Sequence, residues 1–174
     1  NTDARMSEYT PTADPDYGGG GGGAYLAFVI DEVRPWVDAT YRTLEGPAST
    51  GILGSSLGGL ISAYAGVRRP DVFGLIGVLS PSTWWDGRML VNEVGSIPYR
   101  DSRALRVYVD TGDTGAEDNH DCKPDTDVLV ATYRDVGYRD DVDFRYVVQP
   151  GADHNEYWWA QRLPGALAFL LGAR

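Results

Sequence analysis

Thr50-Gly51-Ile52-Leu53-Gly54-Ser55-Ser56-Leu57-Gly58-Gly59-Leu60 is the stretch from which the rest of the chain can be read. An apolar run stops at Gly54, two serines follow, and a segment with apolar residues at helical spacing (Leu57, Leu60, Ile61, Tyr64, Val67) departs at once. Gly54 to Gly58 fits Gly-x-Ser-x-Gly centred on Ser56, the pattern of a nucleophile elbow. The requirement is steric before it is chemical. Holding a hydroxyl out at the end of a strand forces a sharp reversal into a helix, and glycines two residues to either side remove Cβ atoms expected to collide. Ser56 is the candidate nucleophile, and the backbone N–H of Leu57, heading the helix, is the candidate oxyanion donor.

Composition bounds the classes of partner. A chain of 174 residues with 43% hydrophobic residues is long enough for one domain with a proper core. A net charge of -10 and a pI near 4.5 argue against nucleic acid or an anionic membrane surface as partner, because either requires a cationic footprint. No apolar run approaches the roughly 20 residues that span a bilayer. Lys123 is the only lysine, and the only cysteine, Cys122, allows neither an internal disulfide nor a cysteine zinc site. The two histidines, His120 and His154, restrict the choice of base.

The order of elements sets the architecture. Residues 1–23 read as a flexible, glycine-rich lead-in, with turn material around Pro11 and Pro15 and a run from Gly18 to Gly23 expected as a mobile loop. Tyr25, Leu26, Val29, Ile30 and Val33 predict a helix that ends or kinks before Pro35. Buried strands are predicted over 49–55, 74–79, 104–110 and 144–149, with helices over 57–68, about 128–136 and 156–171, the last interrupted or restarted at Pro164. Strands alternating with helices imply a mostly parallel sheet with helices on both faces, whose reactive groups gather at the carboxyl ends of the strands. Ser56, an acidic loop from Thr111 to Asp125, and His154 each follow such an end. Their order, serine then acid then histidine, is that of an α/β-hydrolase.

His154 is the candidate base, while His120, inside the acidic loop, is expected to cap or line the site. The acid is open among Asp110, Asp113, Glu117, Asp118 and Asp121. Asp110 still belongs to the strand, whereas Asp113 and Asp118 lie beyond Gly112, where a loop can bend back; Asp118 is favoured narrowly over Asp113. The spacing of these carboxylates is not that of a recognised calcium loop, so no metal or other cofactor is expected. Trp84 and Trp85, beyond the second strand, are candidates for a substrate platform as well as for packing, and Trp158 and Trp159 are expected to pack beneath His154, with the acyl pocket as the alternative place for one of them.

With these pieces in place, the chain resembles the esterase-D-like family of α/β-hydrolases, which includes feruloyl and acetylxylan esterases, enterochelin esterases and mycolyltransferases. The resemblance is carried by Gly-Ser-Ser-Leu-Gly-Gly-Leu at 54–60, Arg69-Pro70-Asp71-Val72-Phe73-Gly74, Ser80-Pro81-Ser82-Thr83-Trp84-Trp85, Val109-Asp110-Thr111-Gly112-Asp113, and Pro150-Gly151-Ala152-Asp153-His154-Asn155-Glu156 followed by Trp159. It implies Ser56 as nucleophile and His154 as base in a serine carboxylesterase acting through an acyl-enzyme, with Asp113 or Asp118 as the acid. A small-molecule or carbohydrate ester is the implied substrate; transfer of the acyl group to an alcohol, or a non-catalytic module, is the alternative. The resemblance also implies strands before residue 1, so 1–174 is expected to be the carboxyl-terminal portion of a complete domain. Association with the amino-terminal part, or with a second copy, would then cover the open sheet edge.

Overall fold

The computed structural model describes residues 3–98, 106–114 and 120–172, the side chain of His120 excepted. A short helix α1 (Arg5–Glu8) precedes a small antiparallel pair, β1 (Ala13–Asp14) and β2 (Gly18–Gly19). Helix α2 (Gly22–Phe28) runs through a π-turn (Val29–Val33) into α3 (Arg34–Thr40). Then come β3 (Gly51–Ser55), α4 (Leu57–Arg68), β4 (Leu75–Leu79), α5 (Trp85–Gly95) and β5 (Arg106–Gly112). A 3₁₀ turn (His120–Cys122) leads into α6 (Lys123–Asp135), β6 (Phe144–Gln149) and α7 (Glu156–Leu171).

Strands β3 to β6 form one parallel sheet in the order β3-β4-β5-β6, in register Ser55↔Leu79↔Asp110 and Gly112↔Gln149. The pleat sends alternate side chains to opposite faces. Ile76, Val78, Val107 and Val109 join one apolar cluster with Leu60 and Ile61 of α4, Leu90 and Val94 of α5, and Leu129 and Tyr133 of α6. Leu75, Leu79 and Tyr108 face the other way, covered by Ala166, Phe169 and Leu170 of α7. All five residues of β4 are buried, as expected of a central parallel strand sandwiched between helices.

Three local features depart from the sequence expectation. The helix does not end at Pro35: the π-turn immediately before it shifts the hydrogen-bond ladder, and Pro35 falls in the first turn of α3, where no N–H donor is needed. Pro164 likewise lies inside an unbroken α7, and the carbonyl it leaves without a donor belongs to Ala160, an exposed residue that water can serve. The glycine run, expected as a mobile loop, is placed with Gly18–Gly19 paired to Ala13–Asp14, Gly20 N–H donating to Thr10 Oγ1 at 2.9 Å, and Gly22 opening α2.

At the elbow, a Cβ on Gly54 would meet the backbone of Gly58, the closest atom being its carbonyl oxygen, whereas a Cβ on Gly58 would enter open space. Only one of the two flanking glycines thus answers the steric need anticipated for both. Gly54→Ala is expected to destabilise by about 1–3 kcal/mol, since a strand end and a helix start must be forced apart. Gly58→Ala, inside a helix, should stabilise by about 0.5–1 kcal/mol. Chemical denaturation of the two variants checks the pair; equal losses would contradict this account.

Candidate active site

Ser56 caps the amino end of α4 with φ 59° and ψ -125°, a conformation that L residues rarely adopt. Such strain, of order 1–3 kcal/mol, persists only where neighbours over-determine the backbone. Here Ser56 N–H donates to Leu79 O at 3.0 Å, and Ser56 O accepts from Leu60 N–H at 3.1 Å and from Ser82 N–H at 3.2 Å. The Ser56 hydroxyl lies 3.4 Å from that of Ser82. Leu57 follows as the first residue of α4, where backbone N–H groups have no intrahelical acceptor.

Across the same sheet edge, His154 Nδ1 lies 2.6 Å from Asp121 Oδ1. Asp121 is therefore the carboxylate that meets the histidine. The narrowly favoured Asp118 lies outside the described residues, and Asp113 is committed elsewhere, its Oδ1 accepting from Gly151 N–H at 2.6 Å. Both aspartates serve the same junction, because Asp113 anchors the loop that carries His154. Gly112 lets that junction close: a Cβ there would run into the backbone carbonyl of Ala152. The same carbonyl accepts from Thr114 N–H at 3.0 Å and from Thr114 Oγ1 at 2.8 Å.

Asp121 is fully buried and crowded with donors. Its Oδ2 accepts from Ser80 Oγ at 2.6 Å and from the backbone N–H of Gly112, and Arg162 Nη2 stands 3.5 Å away. Burial pushes its pKa up, but hydrogen bonds from His154, Ser80 and Gly112 outweigh burial and hold it below the ordinary carboxylate value. An ionised carboxylate is acceptor-only, so the proton between the two lies on Nδ1, and Nε2 is left as the basic nitrogen.

A second buried carboxylate lies behind the first. Asp110, at the end of β5, pairs with Arg162 Nε through Oδ1 at 3.0 Å, while its Oδ2 has no hydrogen-bond partner among the described residues. Burial dominates here and raises its pKa to about 7, against the opposing pull of Arg162 and the Ser80 N–H. Arg162, only 5% exposed, thus sits between two buried aspartates.

The tryptophans divide. Trp85 is wholly buried, with its indole N–H on Thr12 O at 3.0 Å, and is core rather than platform. Trp84 is 37% exposed and meets the exposed ring of Tyr17 edge-on, with centroids 5.5 Å apart. Tyr17 lies in the glycine-rich lead-in, where no periodic pattern marks it; the β1–β2 turn brings it over Trp84. Trp159 packs edge-on against His154 with centroids 5.0 Å apart, as its position after the histidine suggested. Trp158 instead meets Tyr157. No cluster of three or more potential metal-ligating side chains occurs among the described residues, and no helix there is long and apolar enough to cross a membrane.

The family model described as "Putative esterase" matches residues 2–170. The chain belongs to this esterase family, a family of carboxylic ester hydrolases. It is 25% identical to the uncharacterised protein YbbA of Bacillus subtilis over 97% of this chain and 70% of that one. It is 34% identical to the siderophore triacetylfusarinine C esterase of Aspergillus fumigatus, over 52% of this chain and 32% of that protein. Among solved structures, the enterobactin and salmochelin hydrolase IroE superposes with a TM-score of 0.75 at 17% identity, covering 99% of this chain and 65% of that one. That likeness is one of fold, and it agrees with the α/β-hydrolase architecture read from the order of elements. The chain spans about a third of the fungal esterase and just under two thirds of the solved hydrolase.

Proposed function

We propose that the protein is a serine carboxylesterase with Ser56, His154 and Asp121 as its triad. The observation that carries this reading is the pairing of the partly exposed His154 with the buried Asp121 on the sheet edge where the strained Ser56 turns into α4. Both flank the segment from Ser80 to Thr83, since Ser80 donates to Asp121 and Ser82 donates to the carbonyl of Ser56.

In this mechanism His154 Nε2 takes the proton from Ser56 Oγ as the oxygen bonds to the ester carbonyl carbon. Negative charge gathers on the former carbonyl oxygen, where the Leu57 N–H at the head of α4 donates to it. The tetrahedral adduct collapses, the bond to the alcohol oxygen breaks, and His154 returns the proton to the leaving alkoxide. Water, deprotonated by the same nitrogen, then releases the acid from the acyl-enzyme. Asp121 stays ionised throughout and compensates the positive charge carried by the imidazole between the two transfers. The names of relatives favour siderophore esters as substrate class, and the exposed Trp84–Tyr17 corner offers an aromatic surface for part of such a substrate.

The test is intact mass after incubation with a fluorophosphonate, beside hydrolysis of short p-nitrophenyl esters. One adduct on the protein and none on Ser56→Ala, with hydrolysis lost in the variant, is the expected result. Hydrolysis retained by Ser56→Ala would overturn the assignment.

A further inference from the structure

Ser80 directly follows β4 with φ 39°, a left-handed conformation that glycine adopts at less cost, yet the residue is a completely buried serine. Its hydroxyl is saturated. The indole N–H of Trp159 donates to Ser80 Oγ at 3.0 Å, and Arg162 Nη2 donates at 2.7 Å. A hydroxyl has two acceptor sites and one proton. With both acceptor sites taken by donors that cannot accept in return, the proton has one direction left, and Asp121 Oδ2 lies there at 2.6 Å.

We propose that Ser80 is a positioning residue for His154: its hydroxyl, aimed by Trp159 and Arg162, pins Oδ2 of Asp121 and thereby turns Oδ1 to the imidazole. This rests on the triad reading above. Besides Ser80, Oδ2 has one close donor, the Gly112 N–H, with Arg162 Nη2 and Thr111 Oγ1 both at 3.5 Å; the short bond from Ser80, just past the end of β4, is what fixes the carboxylate plane about Cβ–Cγ. The charged and titratable groups around this unit are His154 on the loop after β6, Asp121 on the loop after β5, Asp110 at the end of β5, and Arg162 on α7. Tyr108 and Arg145 lie behind Asp110. Trp159 has a double task, one edge on the histidine ring and its N–H on the serine that steadies the histidine's partner.

Ser80→Gly is the decisive variant, because it deletes the hydroxyl while relieving the left-handed backbone. The primary readout is the proton NMR resonance of the His154 Nδ1–H, assigned by its loss in His154→Gln. In the unaltered protein the short Nδ1···Oδ1 contact should place this proton far downfield; in Ser80→Gly it should move upfield or broaden through exchange with solvent. Trp159→Phe, which leaves the serine but frees one of its acceptor sites, should move the resonance the same way by less. Turnover of p-nitrophenyl acetate should fall about 10-fold in kcat, the value of one charge-assisted hydrogen bond, with KM within about twofold. A resonance unmoved in both variants overturns the proposal. The two readings fail separately: Ser56→Ala that still hydrolyses removes the triad, whereas an unmoved Nδ1 proton removes Ser80 alone.

Discussion

Asp121→Asn is expected to lower kcat about 10⁴-fold while the protein stays folded, the loss seen when a triad carboxylate becomes an amide and the histidine is held in the wrong tautomer. The physical case is in the donor count. Oδ2 of Asp121 meets the Ser80 hydroxyl, the Gly112 N–H and, further off, Arg162, so an asparagine will turn its carbonyl oxygen toward these donors. Its NH₂ group then faces His154 Nδ1, which can only accept from it. The proton is displaced to Nε2, the nitrogen that has to receive one from Ser56. Asp113→Asn supplies the contrast. Its amide oxygen can still accept from Gly151 N–H, so a loss of less than about 10-fold is expected. Steady-state hydrolysis of a p-nitrophenyl ester by both variants, with circular dichroism to verify folding, checks the pair; a larger loss for Asp113→Asn would move the acid away from Asp121.

Arg162→Met should be the most destabilising single change at the site, costing about 3–5 kcal/mol and lowering Tm by about 10 °C. It leaves Asp110 and Asp121, both fully buried, without the guanidinium between them. The cost has a pH signature. Asp110 has its pKa raised on folding to about 7, so the folded chain binds that proton more tightly than the unfolded one. Stability from this group is present below the unfolded value and is lost as pH rises from about 4 toward 7. Asp121 works the other way, its lowered pKa contributing stability above the ordinary carboxylate value that disappears as pH falls. Without Arg162 the Asp110 carboxylate becomes still harder to ionise, so the deficit of the variant should be larger at pH 8 than at pH 5. Adding Asp110→Asn to Arg162→Met should recover part of the alkaline deficit. Urea denaturation at the two pH values decides, and an equal deficit at both would refute the pairing.

The elbow could be read in the sequence because its need is local: Gly54 must give way to the backbone of Gly58, and only a small set of residues satisfies so tight a turn. The parallel sheet was legible for a similar reason, each buried strand being a short apolar run closed by a turn. Which carboxylate meets His154 was not, because five acidic residues follow one another from Asp110 to Asp121, and spacing alone ranks them poorly. The pointer that could have selected Asp121 is what comes after it: Cys122-Lys123-Pro124 starts α6, with proline in the first turn, so Asp121 is where the loop returns to the sheet. Helix α5 went unread because it opens with three left-handed residues, Asp86, Gly87 and Arg88, ahead of its apolar positions Met89, Leu90 and Val94. The roles of Arg162 and Ser80 depend on contacts between segments some eighty residues apart, which no local pattern encodes.

Helix α7 carries Trp159 and Arg162 in its first half and Ala166, Phe169 and Leu170 in its second, all along one stripe. Each residue of an α-helix turns the stripe by about 100°. A one-residue insertion or deletion between Arg162 and Ala166 would therefore swing the site-facing half and the sheet-covering half onto different sides of the rod. A change of length that keeps both halves in place is therefore expected only in near-whole turns, or beyond Leu170, so the spacing from Trp159 to Phe169 becomes a ruler for telling chains able to retain the buried polar network from those that cannot.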